Sequence, residues 1–438
     1  MVKKKYSHLN NIIKYHLLWV IYLYLNLTWI NKVFSKKINV SNENEFKNAF
    51  NSNNSEIVLL SSFSLNKKYI LNSLLTNNIK ISGQTNNITL NFDNEQNGFI
   101  FNSIENIEIN NLKFIGNINF ENCKKVTIKS VEFNGLINGN NSDISFYKIK
   151  YYNTQNIISM YGIYLNNAHL KINESSFYGS KPISNYIIFS TNETGINVNI
   201  NNTSSEMTIN NSYFSGEYIS GIIKVNVQSI INIQKSDFVN GYSTDNGSIL
   251  NVINSSILIN NCTIMNNYSD KSGGSFYLED NHSFTISNSL ISNSTADLDG
   301  GAFYILDGTR HVDIPPEDYN HKLINITVNN MSNMYSYSEF GENYRCGKKV
   351  TCAVLAAANS SQLYVEDFNL NDAYVYSKEG FIIYLYEYSN NFDENSLNNN
   401  QGLKGVVFGM KLTNIIQMSD RISSLFWVMD SGYLSLNK

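Results

Sequence analysis

One phrase recurs four times between Met207 and Leu306, and that repeat limits the fold more than any other feature of the chain. Its first half reads MTINNSYF, INIQKSDF, ILINNCTI and FTISNSLI; its second half reads SGIIKV, NGSILNV, GGSFYL and GGAFYIL. Ile209, Ile233, Ile259 and Ile286 are spaced by 24, 26 and 27 residues, and Gly221, Gly247, Gly274 and Gly301 by 26, 27 and 27. A period in the twenties that holds two short β-type runs is the mark of a solenoid, in which each period forms one coil. The fold class expected is all-β: a single-stranded parallel β-helix.

The phrase continues outside this stretch, with an apolar anchor followed five residues later by a second apolar residue. Examples are Ile109/Phe114, Ile128/Phe133, Ile172/Phe177 and Val365/Leu370. An odd spacing along one strand sends the second side chain to the opposite face. Both point inward only if a turn lies between them, and Asn111, Asn211, Asn261, Asn288 and Asn330 occupy that place. Asn tolerates left-handed backbone, and its stacked amides either form a ladder along the coils or act one by one as turn residues. Two residues past the repeat glycines, Ile223, Ile249, Phe276 and Phe303 form an expected inward column. Their neighbours Tyr277 and Tyr304 alternate with them and face outward, which makes these tyrosines the glycan-contact candidates.

Composition supports a folded chain without an electrostatic partner. Hydrophobic residues make up 42% and charged residues 16%, below the usual quarter. Asn and Ser fill the difference at strand-and-turn spacing. The net charge is −4, and no basic run outside the N-terminus exceeds two residues. Phosphate backbones are bound by clustered Lys and Arg, so nucleic acid is not an expected partner.

At the N-terminus, Lys3, Lys4 and Lys5 precede an apolar run from Leu17 to Ile30, and Val33-Phe34-Ser35 suits a signal-peptidase site. Fourteen interrupted residues fall short of the ~20 that a membrane span needs. Residues 1–35 are therefore expected to be a signal peptide, with a signal anchor as the alternative, and the mature chain to be secreted or on the cell surface. Residues 36–60 are expected to hold a cap and a first strand. Within them Asn44–Phe50 has the amphipathic pattern of a short helix with Phe46, Ala49 and Phe50 on one face, and Ser41 or Asn42 as its N-cap. Such a helix would cover the open end of the solenoid. Residues 61–438 are expected to be the β-helix, with insertions near 136–160, 308–322 and 335–352. The chain stops in what reads as mid-coil, so a missing C-terminal part is an expectation too. Cys346 and Cys352 bracket CGKKVTC and are the disulfide candidate, whereas Cys123 and Cys262 are expected free and buried.

Chemistry-bearing residues are sparse. Asp270 and Asp297 precede their glycines by four residues in successive coils, so they should sit one rung apart, with Asp299 and Asp245 near them. Hard oxygen ligands of this kind hold Ca²⁺, the one cofactor considered, and paired carboxylates also serve glycan cleavage. Asp before Gly is equally an ordinary turn former. The 308–322 segment gathers Arg310, His311, Asp313, Glu317, Asp318 and His321 in no zinc spacing, and reads first as a surface loop.

The opening EFKNAF, EIVLLSSF and IKISGQ resembles that of pectin-lyase-like right-handed parallel β-helix proteins. The GGSFY and GGAFY phrases resemble the repeats of polymorphic outer-membrane-type adhesins. The resemblance implies a right-handed coil, and a superfamily that holds both glycan-active enzymes and non-catalytic surface proteins. Of the polygalacturonase-like active site, the paired Asp-Asp, Gly-His-Gly and Arg-x-Lys strings are absent. With no catalytic residue assigned, the expected function is an exported non-catalytic surface or adhesion module with glycan or protein as partner. The alternatives are a polysaccharide-active enzyme, lyase or glycosidase, and the extracellular part of a larger membrane protein. Convergence of carboxylates with a Lys or Arg on one face separates the enzyme from the module.

Overall fold

A computed structural model of the chain describes residues 36–307, except 51–54, 95, 155–158, 182, 192–204, 227–228 and 299. Past residue 307 it describes separate segments between 320 and 437. The architecture is an all-β parallel β-helix with one short helix at its start. One coil shows how the sequence builds it. Ser256–Asn260 runs as a strand with Ile257 and Ile259 buried. Asn261 then turns the chain with φ of 55°, so that Cys262 and Ile264 also point inward. Asn266 repeats the left-handed turn at 59°. A corner follows, and Phe276–Glu279 forms a strand of a separate sheet before Asp280 closes the coil at φ 48°. Asn and Asp adopt this conformation at lower cost than other non-glycine residues.

Stacking is parallel throughout. Among the described residues, 13 strands from Tyr69–Asn72 to Phe426–Val428 make the sheet that faces the corner, and a longer sheet carries the strands on either side of the Asn turn. The core is a column of rings. Phe114, Phe133, Tyr151, Phe177, Phe214 and Phe238 follow one another with centroids 4.7–5.9 Å apart. Burying each such side chain stabilises the fold by about 1.5–3 kcal/mol.

The helix Glu43–Phe50 caps the first coil as expected, with Phe46, Ala49 and Phe50 buried. Asn42 is its N-cap: its Oδ1 accepts from Glu45 N at 3.0 Å, while Glu45 reaches back to Ser41 N at 2.7 Å. Phe50 stacks on Phe99 at 5.4 Å and seals the end of the ring column.

The amide ladder exists and runs through Asn288 of the expected column, with one different member. Asn325, not Asn330, stacks on Asn288, donating to its Oδ1 at 2.8 Å. A second ladder runs from Asn293 to Asn266 to Asn240, at 2.8 and 3.1 Å. The inward column also differs by one residue, because Leu250 rather than Ile249 pairs with Ile223 and Phe276. Residues expected as an insertion near 136–160 instead form strands Ile137–Asn140, Asp143–Tyr147 and Lys150–Tyr152 in register with both neighbouring coils. There Phe146 stands in the isoleucine column and Lys148, at φ 54°, takes the turn position. Cys123 and Cys262 are free and buried. The signal segment 1–35, Cys346 and Cys352, Asp299, the 335–352 segment, and Arg310, His311, Asp313, Glu317 and Asp318 lie outside the described residues. His321 is buried, stacked on Phe284 at 4.7 Å, with Nε2 3.0 Å from the Asn281 carbonyl oxygen.

Candidate functional site

On the outward face of the 13-stranded sheet, one side chain per coil forms a column parallel to the helix axis. In order it reads Tyr164, Phe189, Lys224, Asn251, Tyr277 and Tyr304. The alternation of each strand puts these residues there: Lys224 lies between buried Ile223 and Val225, and Tyr277 between buried Phe276 and Leu278. Aromatic pairs flank the polar middle. Tyr161 stacks on Phe189 at 4.2 Å on one side, and Tyr277 on Tyr304 at 5.4 Å with planes 4° apart on the other. Tyr277 is only 8% exposed, so the expected open platform is narrower than its outward position implies. Tyr304 is half-buried, and the Tyr277 hydroxyl donates to Glu279 at 3.0 Å.

The corner that precedes each strand of this sheet brings charge to the middle of the column. Asp245 accepts from Lys224 Nζ at 3.0 Å through Oδ2 and from Lys271 Nζ at 2.9 Å through Oδ1. Lys224 comes from the sheet and Lys271 from the corner of the next coil. Partial burial alone would raise the Asp245 carboxyl, but the hydrogen bonds and charges of Lys271 and Lys224 hold it below the usual carboxylate range. Asp245 is therefore an anion at neutral pH, clasped by two cations.

Beside it runs a ladder of tyrosine and aspartate. Tyr242 donates to Asp270 at 3.0 Å and Tyr268 to Asp297 at 2.6 Å, each reaching one coil on, and the two rings stack at 5.8 Å. Asp270 and Asp297 do stand one rung apart, since Ser269 pairs with Ala296. Burial pushes the Asp297 carboxyl up, and the Asp270 charge adds to this, against a lowering by the Tyr268 hydroxyl. Two carboxylates on one face thus have environments that move them in opposite directions. Asp245 and Asp297 sit two rungs apart, about 10 Å along the axis at ~4.8 Å per rung.

Among the described residues no three His, Cys, Asp or Glu side chains come together in a way that would hold a metal ion. Asp270 and Asp297 instead take tyrosine hydroxyls. Of the residues expected from the sequence, Asp270 and Asp297 stand one rung apart and Tyr277 and Tyr304 stack in the outward column, while Lys224, Lys271 and the Tyr161–Phe189 pair were not expected. Lys224 was within reach, since it occupies the outward place in SGIIKV that Tyr277 occupies in GGSFYL.

No protein-family model and no curated protein sequence matches this chain. Solved structures with similar coordinates include the catalytic domain of a GH87 alpha-1,3-glucanase in complex with nigerose, at 13% identity and a TM-score of 0.42, covering 91% of this chain and 68% of that one. A mannuronic acid specific polysaccharide family 6 lyase from human gut microbiota is 11% identical, with a TM-score of 0.33 and coverage of 86% of both chains. The A-module of the Azotobacter vinelandii mannuronan C-5 epimerase is 7% identical, with a TM-score of 0.30, covering 86% of this chain and 91% of that one. The non-catalytic adhesion module expected from the sequence is corrected here. The feature set out as separating enzyme from module is present in one form: a single carboxylate, Asp245, meets two lysines, Lys224 and Lys271.

Proposed function

We propose that this chain is an exported polysaccharide-active enzyme that cleaves a glycan laid along the outward face of the 13-stranded sheet. The observation that carries the reading is the convergence of Asp245 and Lys271, from two successive corners, on Lys224, which stands in the outward column between Phe189 and the Tyr277–Tyr304 stack. The aromatic stacks border the column on either side of the charged centre, which gives the chemistry a place along a bound chain. Asp297, held in its protonated form to higher pH than an ordinary carboxyl, is assigned as proton donor to the leaving oxygen. Asp245, kept ionised by its lysines, is assigned as the anionic partner. Their axial separation of two rungs, about 10 Å, is too wide for the ~5 Å carboxylate pair of retaining enzymes and slightly exceeds the ~6.5–9.5 Å of inverting ones, so a water would stand between them.

Elimination is the second reading, favoured by the two ammonium groups that meet on one carboxylate. The same pair would hold the carboxylate of a uronate residue. Alpha-1,3-glucan and mannuronan, named for the similar structures, are the first substrates to offer, with pectin as a third. Reducing ends without ultraviolet-absorbing product indicate hydrolysis; absorbance from an unsaturated uronate indicates elimination. No turnover on any glycan, with Asp245→Asn indistinguishable from the parent, would overturn the proposal.

A further inference from the structure

Tyr186 lies beneath this site and belongs to neither aromatic stack. Its side chain is completely buried, and a buried hydroxyl requires partners. Those partners come from two coils further along, which is unusual in a fold where each coil meets only its neighbours. The hydroxyl is 2.5 Å from the Asn246 carbonyl oxygen, 2.9 Å from Ser243 Oγ and 3.3 Å from the Gly247 carbonyl oxygen, and Asn251 Nδ2 donates to it at 3.4 Å. The ring crosses the intervening coil at Gly221, its register partner, where a Cβ would stand 2.4 Å from the ring. Only glycine leaves room for that crossing.

A phenol carries one proton, and the closest acceptor is the Asn246 carbonyl. With that proton committed, Ser243 Oγ must donate to Tyr186, which leaves its lone pairs to accept from Asp245 N at 3.0 Å. The result is a directed chain from the Asp245 amide through Ser243 and Tyr186 to the Asn246 carbonyl. Lys224 Nζ, meanwhile, lies 5.7 Å from the centre of the Tyr186 ring while it donates to Asp245. Tyr186 is therefore joined to both halves of the ion pair, to the Asp245 amide through Ser243 and to the Lys224 ammonium across its ring face.

We infer that Tyr186 is a positioning residue that holds Asp245 against Lys224. This deepens the proposed function, since a positioned Asp245 matters to turnover only if that carboxylate acts on glycan. Tyr186→Phe keeps the ring over Gly221 and removes only the hydroxyl, and Ser243→Ala cuts the same chain one link away. The charged groups that face Asp245 are Lys224 from the sheet and Lys271 from the next corner, and both variants leave them in place.

The test has two independent readouts on the full chain. The first is the titration of Asp245, followed by NMR of carboxyl-labelled aspartate and assigned by its loss in Asp245→Asn. In Tyr186→Phe and in Ser243→Ala the midpoint is expected to rise toward that of a free aspartate, which a purely structural role for the ring would not produce. The second is turnover on whichever polysaccharide the parent cleaves, with kcat falling on the order of 100-fold and KM little changed. A titration midpoint unchanged in both variants would overturn the inference, whatever the activity. A parent without turnover would overturn the enzymatic reading while the titration still decides the role of Tyr186.

Discussion

The Tyr268 hydroxyl donates to Asp297 Oδ1 across one rung at 2.6 Å, and the same bond joins Tyr242 to Asp270 one coil earlier. A tyrosine thus serves the carboxylate of the following coil rather than of its own, which puts two acidic side chains one rung apart. Burial first, then the neighbouring Asp270, makes the ionised form of Asp297 costly. A carboxyl raised in the folded state binds more protons there than in the unfolded chain. Its contribution to stability is full below the unfolded value, about 3.9, and falls as pH rises through the folded value. Asp297→Asn removes that cost while keeping an acceptor for Tyr268. The variant is expected to melt above the parent at pH 7, with the gap closing near pH ~4. Equal gaps at both pH values in calorimetry would contradict the assignment. Under the proposed mechanism the same variant loses turnover, so stability and activity move in opposite directions.

The two lysines on Asp245 differ in exposure, and their energies should differ accordingly. The Lys224 side chain is 16% exposed and that of Lys271 is 53% exposed. A double-mutant cycle between Asp245→Asn and Lys224→Met is expected to give a coupling of about 1.5–3 kcal/mol, as for a sheltered charged hydrogen bond. The corresponding cycle with Lys271→Met should stay below about 1 kcal/mol and shrink with added salt. Denaturant melts at low and high ionic strength distinguish the two. Comparable couplings would mean that the corner is wetter than its geometry indicates.

Much of this architecture was legible in the chain because each coil repeats the same local problem. Two inward residues five apart need a left-handed residue between them, and Asn at that place is a physical signature. Legibility failed where another residue took the role. Near 136–160 the pair is Phe146 and Tyr151 and the left-handed residue is Lys148, so a regular coil read as an insertion. It failed again where register rather than pattern decides, as with Asn325 in the place expected for Asn330. The candidate site was half legible for the same reason. Asp270 and Asp297 follow from the period, but Lys224, Lys271 and Tyr186 meet Asp245 only once four coils have stacked. No spacing within one coil encodes that meeting.

Phe214 tests how local the stability of such a stack is. It is fully buried between Phe177 at 4.7 Å and Phe238 at 5.0 Å, with planes within 8° of parallel. Phe214→Ala opens a ring-sized cavity and is expected to cost about 3–5 kcal/mol. In a solenoid each coil contacts only its neighbours, so the loss should be confined. Hydrogen exchange is expected to accelerate in the strands His169–Asn173, Ser205–Asn210 and Ser229–Gln234, and to stay unchanged at Asn106–Ile115. Uniform acceleration along the chain would show instead that the coils unfold as one unit.

Asn288 separates the two roles that stacked asparagines combine. Its backbone stands at φ 49°, its Nδ2 donates to Asn260 Oδ1 at 2.8 Å, and its Oδ1 accepts from Asn325 at 2.8 Å. Asn288→Gly retains the left-handed turn at small conformational cost and deletes both ladder bonds. These bonds are exposed, so the loss should be about 0.5–1.5 kcal/mol in all. Asn288→Val deletes the bonds and also forces a β-branched residue into left-handed backbone, which adds roughly 1–2 kcal/mol. The difference between glycine and the parent in denaturant melts is then the ladder, and the difference between valine and glycine is the turn. If glycine matched the parent, the ladder would contribute nothing and asparagine would be there for its backbone alone. If valine matched glycine, the left-handed turn would be relaxing in the variant, and the register of Ile286 with Leu323 would shift with it.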